Sequence, residues 1–330
     1  MKERDSTFDI MKGIAMILVI SSHTIPVGNN FFAYWRSALF FIISGYFAKE
    51  WPVGEFLQKG ARRLFIPYVV TCLFMLPFVL FGEFLLDVDV LTTVLKSMAL
   101  GASYFGYADK YRDICIGPLW FVCASIWVRI VWALLQKIKN VPVRGVVSVL
   151  CGIAAYKLKE NSINPWSIFS AFGALGFFYC GYVIRKYDVL SSPKGKSIMP
   201  IALLCLYYCI SFKRMDVSSC VYGGGYITTL IACTGAFMLL YAGVKMFANK
   251  NMRFWKFLNF FGRYSLVAFC IHSVDQCLTI HWFPFKLWWQ FSTTFEYVCA
   301  VVMRVGFAAI GCYLVSKNKF LKEKIFFIKD

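Results

Sequence analysis

The chain has 330 residues, of which 59% are apolar, 19% aromatic and only 16% charged, whereas a soluble domain carries about a quarter charged residues. A mean hydropathy of +0.64 is more than one soluble core of this size can hide. A soluble globular domain is therefore excluded, and runs approaching the ~17–25 apolar residues that cross a bilayer point to an all-α polytopic membrane protein. The net charge of +18 fits basic cytosolic loops. It does not speak for nucleic acid, since no aromatic-basic motif accompanies it. The 13 cysteines include no C-x-x-C pair and fall mostly in apolar runs, where cysteine acts as a small hydrophobe. Neither a metal site nor a disulfide framework is expected.

The hydropathy pattern predicts ten spans: 8–27, 31–48, 64–82, 117–135, 142–157, 166–184, 198–212, 226–247, 258–280 and 296–316. The fifth and seventh are short. The first run is too long for a cleavable signal and lacks a small-residue cleavage site. With the N-terminus inside, most loop lysines and arginines fall in inside segments, which favours two cytosolic termini and an even span count. No repeat is evident, and residues 1–330 read as one integral-membrane domain.

The first span, FDIMKGIAMILVISSHT, carries Lys12 and His23, two of its few ionisable residues. At 100° and 1.5 Å per residue, eleven positions bring His23 to within about 20° of the Lys12 face and roughly 16 Å along the axis. One helix face thus holds a cation near the cytosolic side and an acid/base group toward the outer leaflet. Ionisable groups in lipid are costly and usually face a pathway or a site. Gly13 and Ala15 allow another helix to approach closely. The second span contains Ser44-Gly45. The third is preceded by the basic cluster Lys59, Arg62 and Arg63 and carries Pro67-Tyr68. The connector 83–116 mixes acids with apolar patches and is expected to cap one mouth of the bundle. Trp120 opens the fourth span. In the ninth, His272 and Asp275 are three apart and share a helix face; Asp275 is placed to orient an imidazole or to balance a buried arginine such as Arg129 or Arg304. His281, beside Trp282, reads as an interfacial surface residue, and Trp288-Trp289 as an aromatic belt.

Five of these pieces, in order, resemble the acyltransferase-3 family of integral-membrane O-acyltransferases, nearest its fucose 4-O-acetylase-like branch. FDIMKGIAMILVISSH resembles the family's R-x10-H, with Lys12 in the arginine place. FFIISGYF (40–47) resembles F-F-x-x-S-G-[FY], and KGARRLFIPY (59–68) a basic loop entering R-x-x-x-P-Y. GPLWFV (117–122) resembles P-L-W-F, and GRYSLVAFCIH (262–272) resembles G-x-x-S-L-x-x-Y-x-x-H, with Phe269 where tyrosine is common. The resemblance implies a ten-helix acyltransferase core in the bacterial inner membrane. It also implies transfer of an acyl group, commonly acetyl from acetyl-CoA, to a hydroxyl of a cell-surface glycan or its lipid-linked precursor.

On that basis His23 is expected to take the acceptor's proton, since a sugar hydroxyl is a poor nucleophile at neutral pH and a placed imidazole is worth about 10²–10⁴-fold. An acyl-histidine intermediate is the alternative. Ser44 and Gly45 are candidate donors to the oxyanion, or simply helix-packing residues. Arg62 and Arg63, joined by Lys12, are expected to hold the CoA phosphates, with Trp120 packing or lining the donor tunnel. His272 and Asp275 complete the candidate site. The expected partners are the acyl-CoA donor, a carbohydrate acceptor and the bilayer. The rival reading is a transporter or flippase for a glycan or lipid precursor, which also carries buried charge.

Overall fold

The computed structural model describes residues 5–24, 35–49, 52–86, 91–102, 116–158, 164–212, 215–249, 251–281 and 293–328. They form α1 (Ser6–Thr24), α2 (Arg36–Tyr46), α3 (Arg62–Leu86), α4 (Leu91–Leu100), α5 (Trp120–Leu135), α6 (Val141–Leu158), α7 (Ile168–Lys186), α8 (Pro193–Phe212), α9 (Tyr226–Phe247), α10 (Arg253–Arg263), α11 (Ser265–His281) and α12 (Thr294–Lys317). Among the described residues, sheet is confined to a hairpin of β1 (Met215–Asp216) and β2 (Val221–Tyr222), antiparallel with Met215 opposite Tyr222. Helices prevail because a segment in hydrocarbon must satisfy its backbone polar groups within itself. Among the described residues, six stretches are long and apolar enough to cross a membrane: Lys59–Phe81, Gly117–Leu135, Val141–Leu158, Pro165–Lys186, Tyr226–Phe247 and Thr294–Lys317. Exposed Leu73, Phe74, Val146, Leu150, Val302 and Ile310 give α3, α6 and α12 an apolar outer surface, as a lipid-facing wall requires.

Within the described residues, every predicted span falls on helix, residues 25–27 and 31–34 of the first two lying outside them, but three boundaries differ. A turn at Val53–Glu55 and a π-helical stretch at Phe56–Ala61 lead straight into α3, so Arg62 and Arg63 stand inside a continuous helical rod. The connector after α3 folds back as α4. There the Tyr68 hydroxyl donates to the Met98 carbonyl (2.6 Å) and Ser167 Oγ to the Gly101 carbonyl (2.8 Å). Gly101 sits at φ +52, where a glycine costs least; residues 103–115 lie outside the described residues. The ninth span is two helices meeting at Tyr264; the first, Arg253–Arg263, is amphipathic with Arg253, Lys256 and Arg263, so its apolar face runs on into the second and hides the bend from hydropathy.

Four glycines set the closest crossings. A Cβ on Gly13 would strike the Leu258 carbonyl, and one on Gly262 the Asp9 carbonyl, so α1 and α10 touch backbone to backbone. A Cβ on Gly45 would strike the Phe178 carbonyl and one on Gly181 the Ile42 carbonyl, which locks α2 to α7 in the same way. Such contacts are how membrane helices associate when lipid is as apolar as leucine. α1 is thereby held among α2, α9, α10, α11 and α12.

α1 and α11 run parallel and α12 returns antiparallel, with Asp275 facing Arg304 and Tyr264 facing Cys312. The start of α1 and the end of α12 therefore lie at one end of the bundle. That end also carries the Lys245–Asp5 pair (3.4 Å) and Arg185, which donates to the Tyr46 carbonyl (3.2 Å). The hairpin lies toward the opposite end.

Candidate active site

His23 sits in the last turn of α1, and its ring points into the protein. Its Nδ1 lies 2.9 Å from Nε2 of His272 on α11. The two rings are tilted by only 19° with centroids 5.1 Å apart. That separation is close to the N···N distance plus the two ring radii, so the imidazoles meet edge to edge, as an in-plane hydrogen bond requires, rather than face on. His272 is 2% exposed. Its Nδ1 faces Asp275 Oδ2 at 3.5 Å; this is an electrostatic contact, and Nδ1 makes no hydrogen bond.

Arg304 on α12 closes the far side. Its Nε donates to Asp275 Oδ2 (2.7 Å), Nη1 to the His23 carbonyl (3.2 Å) and Thr24 Oγ1 (3.1 Å), and Nη2 to Gln276 Oε1 (3.2 Å). The fork geometry of a guanidinium suits this multiple grip. Nearby, the Tyr297 hydroxyl donates to the Ser21 carbonyl (3.1 Å). Arg304 thus ties α1, α11 and α12 together behind the two imidazoles.

The Asp275 charge favours a His272 proton on Nδ1, since a carboxylate only accepts. With that tautomer His272 Nε2 accepts from His23 Nδ1, and His23 Nε2 keeps a lone pair. Asp275, His272 and His23 stand in one line.

The other expected residues are distributed differently. Lys12 is held by Asp9 in its own helix (2.8 Å), so an anion there would share a lysine already paired. Arg62 and Arg63 are exposed. Arg62, Phe65, Ile126, Trp127, Ile130 and Trp166 line a cavity of about 430 Å³ between α3 and α5. Its lining does not include either imidazole, so this cavity is not the reaction centre. Arg63 lies within electrostatic reach of Arg129, not of Asp275. Trp120 is buried and packs on Phe121 (5.9 Å), which also meets Phe40, Phe41 and Phe269. This aromatic layer lies one turn of α11 from His272. Ser44 stands eight residues along α2 from Arg36, roughly 12 Å by helix rise, and its neighbour Gly45 is spent on the α7 crossing.

Sequence reasoning passed over Arg36, which opens α2, and Asp216 in the hairpin. Both lie within electrostatic reach of the site, Arg36 of the two imidazoles and Asp216 of Arg36. A charge at the edge of an apolar run was the only signal.

A many-helix membrane bundle with a partly buried His–His–Asp line between its helices is the class of protein the fold defines. The sequence model of the acyltransferase-3 family, described as an acyltransferase domain, matches residues 5–315. The chain belongs to that family and is an integral-membrane acyltransferase. No curated protein and no solved structure matches it.

Proposed function

We propose that the chain moves an acetyl group from cytosolic acetyl-CoA to a hydroxyl of a cell-surface glycan or its lipid-linked precursor, in a bacterial inner membrane, with His23 as general base. The observation that carries this reading is the Asp275–His272–His23 line; with the His272 proton toward Asp275, it supports an unprotonated His23 Nε2 braced from behind. A transporter or flippase has no need of an imidazole held in one tautomer by a second imidazole and an acid. His23 Nε2 receives the hydroxyl proton as the oxygen attacks the thioester carbon. It returns that proton to the departing CoA sulfur. His272 and Asp275 orient His23 and stabilise the imidazolium between those two steps. Arg62 and Arg63, near the basic end of the bundle, suit the donor phosphates, with Lys12 a weaker contributor because Asp9 shares it. Trp120 holds the aromatic layer beneath the imidazoles.

The test is transfer from labelled acetyl-CoA to surface glycan purified from cells lacking the gene, with the full-length protein in lipid nanodiscs. His23→Ala is expected to lower the rate by about 10²–10⁴-fold with acetyl-CoA binding retained. Transfer at the full rate by this variant removes His23 as the base. No ester from the unaltered protein, with the glycan instead moved across vesicles, gives the transporter reading.

A further inference from the structure

The two arginines within electrostatic reach of the imidazoles differ in one respect. Arg304 spends Nε, Nη1 and Nη2 on protein acceptors. Arg36 does not: its Nη1 is buried and has no hydrogen-bond partner. The guanidinium lies within electrostatic reach of His23, His272 and Asp216. Asp216 does not take it up. Asp216 Oδ1 accepts from the Ser218 backbone N–H (2.9 Å) and Oγ (2.6 Å), and Oδ2 accepts from Ser219 Oγ (2.6 Å). A buried guanidinium N–H without an acceptor is costly to leave unpaired, and such a cost persists at functional sites where a ligand supplies the missing partner.

We infer that Arg36 donates from Nη1 to the acyl carbonyl oxygen and stabilises the oxyanion formed opposite His23. This rests on the acyl-transfer reading above and adds a catalytic residue to it. The step balances as follows. The acceptor hydroxyl oxygen bonds to the thioester carbon, the carbonyl π pair moves onto oxygen, and His23 Nε2 takes the hydroxyl proton. The oxyanion then re-forms the carbonyl, the C–S bond breaks with its pair on sulfur, and His23 returns the proton to give ester and free CoA thiol. Charge on the acyl oxygen exists only between those events, so a fixed guanidinium there favours the transition state over bound donor. Arg36 suits this because it opens α2, where the free N–H groups of a helix start add positive potential. It also sits on the imidazole side of the bundle, well away from the Ser44-Gly45 pair.

The experiment compares Arg36→Gln, Arg36→Ala and the unaltered protein in nanodiscs, using labelled acetyl-CoA and surface glycan from cells lacking the gene. Acetyl-CoA affinity is measured separately by calorimetry. Arg36→Gln is expected to lower kcat about 10²–10³-fold, with acetyl-CoA Kd and the glycan KM within twofold. Added ethylguanidinium is expected to restore part of the Arg36→Ala rate and leave His23→Ala unchanged. A near-normal Arg36→Gln rate overturns the inference. So does a rise in glycan KM at unchanged kcat, which makes Arg36 an acceptor grip, or loss of acetyl-CoA binding. Inactive Arg36→Ala that guanidinium does not restore overturns it as well. If the unaltered protein forms no ester, it is the acyl-transfer reading that fails, which is a separate result.

Discussion

Asp275 has two duties, and they separate by substitution. Facing His272 Nδ1, in the proposed mechanism it favours the proton on that nitrogen; facing Arg304, it balances a buried cation. Asp275→Asn removes the negative charge from the one oxygen, Oδ2, that faces both His272 Nδ1 and Arg304 Nε. Under the proposed mechanism, the charge that favours the His272 proton on Nδ1 and steadies the imidazolium is then lost. Transfer is expected to fall by about 10²–10⁴-fold, the range seen when an acid that orients a catalytic imidazole is made neutral. Arg304→Met instead strands Asp275, which is 19% exposed by side chain, and is expected to cost about 3–5 kcal/mol of stability. Initial rates and thermal unfolding of both variants check the split; Asp275→Asn at full rate shows that the acid does not set the tautomer. Much of this was legible residue by residue. His23, His272 and Asp275 stand out as ionisable groups in apolar runs, and an acid in lipid calls for a cation. What the sequence could not carry is the pairing. Helical periodicity relates residues a few turns apart, whereas His23 and His272 are 249 positions apart. Arg129 and Arg304 were equal candidates for Asp275 until packing gave it Arg304 and left Arg129 near Arg63.

The helices themselves follow from long apolar runs, which is why their order could be read in advance, although ten spans are expected and the described residues hold twelve helices of ten residues or more. The bend at Tyr264 and the folded-back α4 could not, because hydropathy is blind to direction and the bend lies inside one apolar run. The bend matters to the site: it lets α10 lie against α1 through Gly13 and Gly262 while α11 carries His272 to His23. Gly262→Ala drives a methyl into the Asp9 carbonyl, and both atoms belong to backbone, so the helices must part. The expected cost is about 1–3 kcal/mol, with transfer falling as the two imidazoles separate. Gly243 on α9 meets nothing within 4 Å, so Gly243→Ala is expected to be neutral or slightly stabilising, since alanine is the better helix former. Thermal unfolding in detergent separates the two; equal midpoints show that α1 and α10 are not in backbone contact.

At the scale of the whole molecule, the proposed transfer from cytosolic acetyl-CoA to an outward-facing acceptor calls for opposite ends for donor and acceptor, with the basic end inside. The structure joins the residues of that end by contact: Lys245 meets Asp5, Gln136 donates to the Lys49 carbonyl, and Arg144 caps α5 through the Gln136 and Ile138 carbonyls. Exposed Lys137, Lys139, Lys186 and Lys245 belong to it, while exposed Lys96 and Lys157 lie on elements near the opposite end. A membrane-impermeant amine reagent applied to sealed cells should therefore modify Lys96 and Lys157 and spare the other four until the membrane is opened, as read by peptide mass spectrometry. The reverse pattern would put Arg62 and Arg63 on the side that has no CoA and the imidazoles on the side that has no glycan. The same base, correctly built, would then have no substrates to bring together, because the reaction depends on which end of the bundle meets which compartment as much as on the atoms between them.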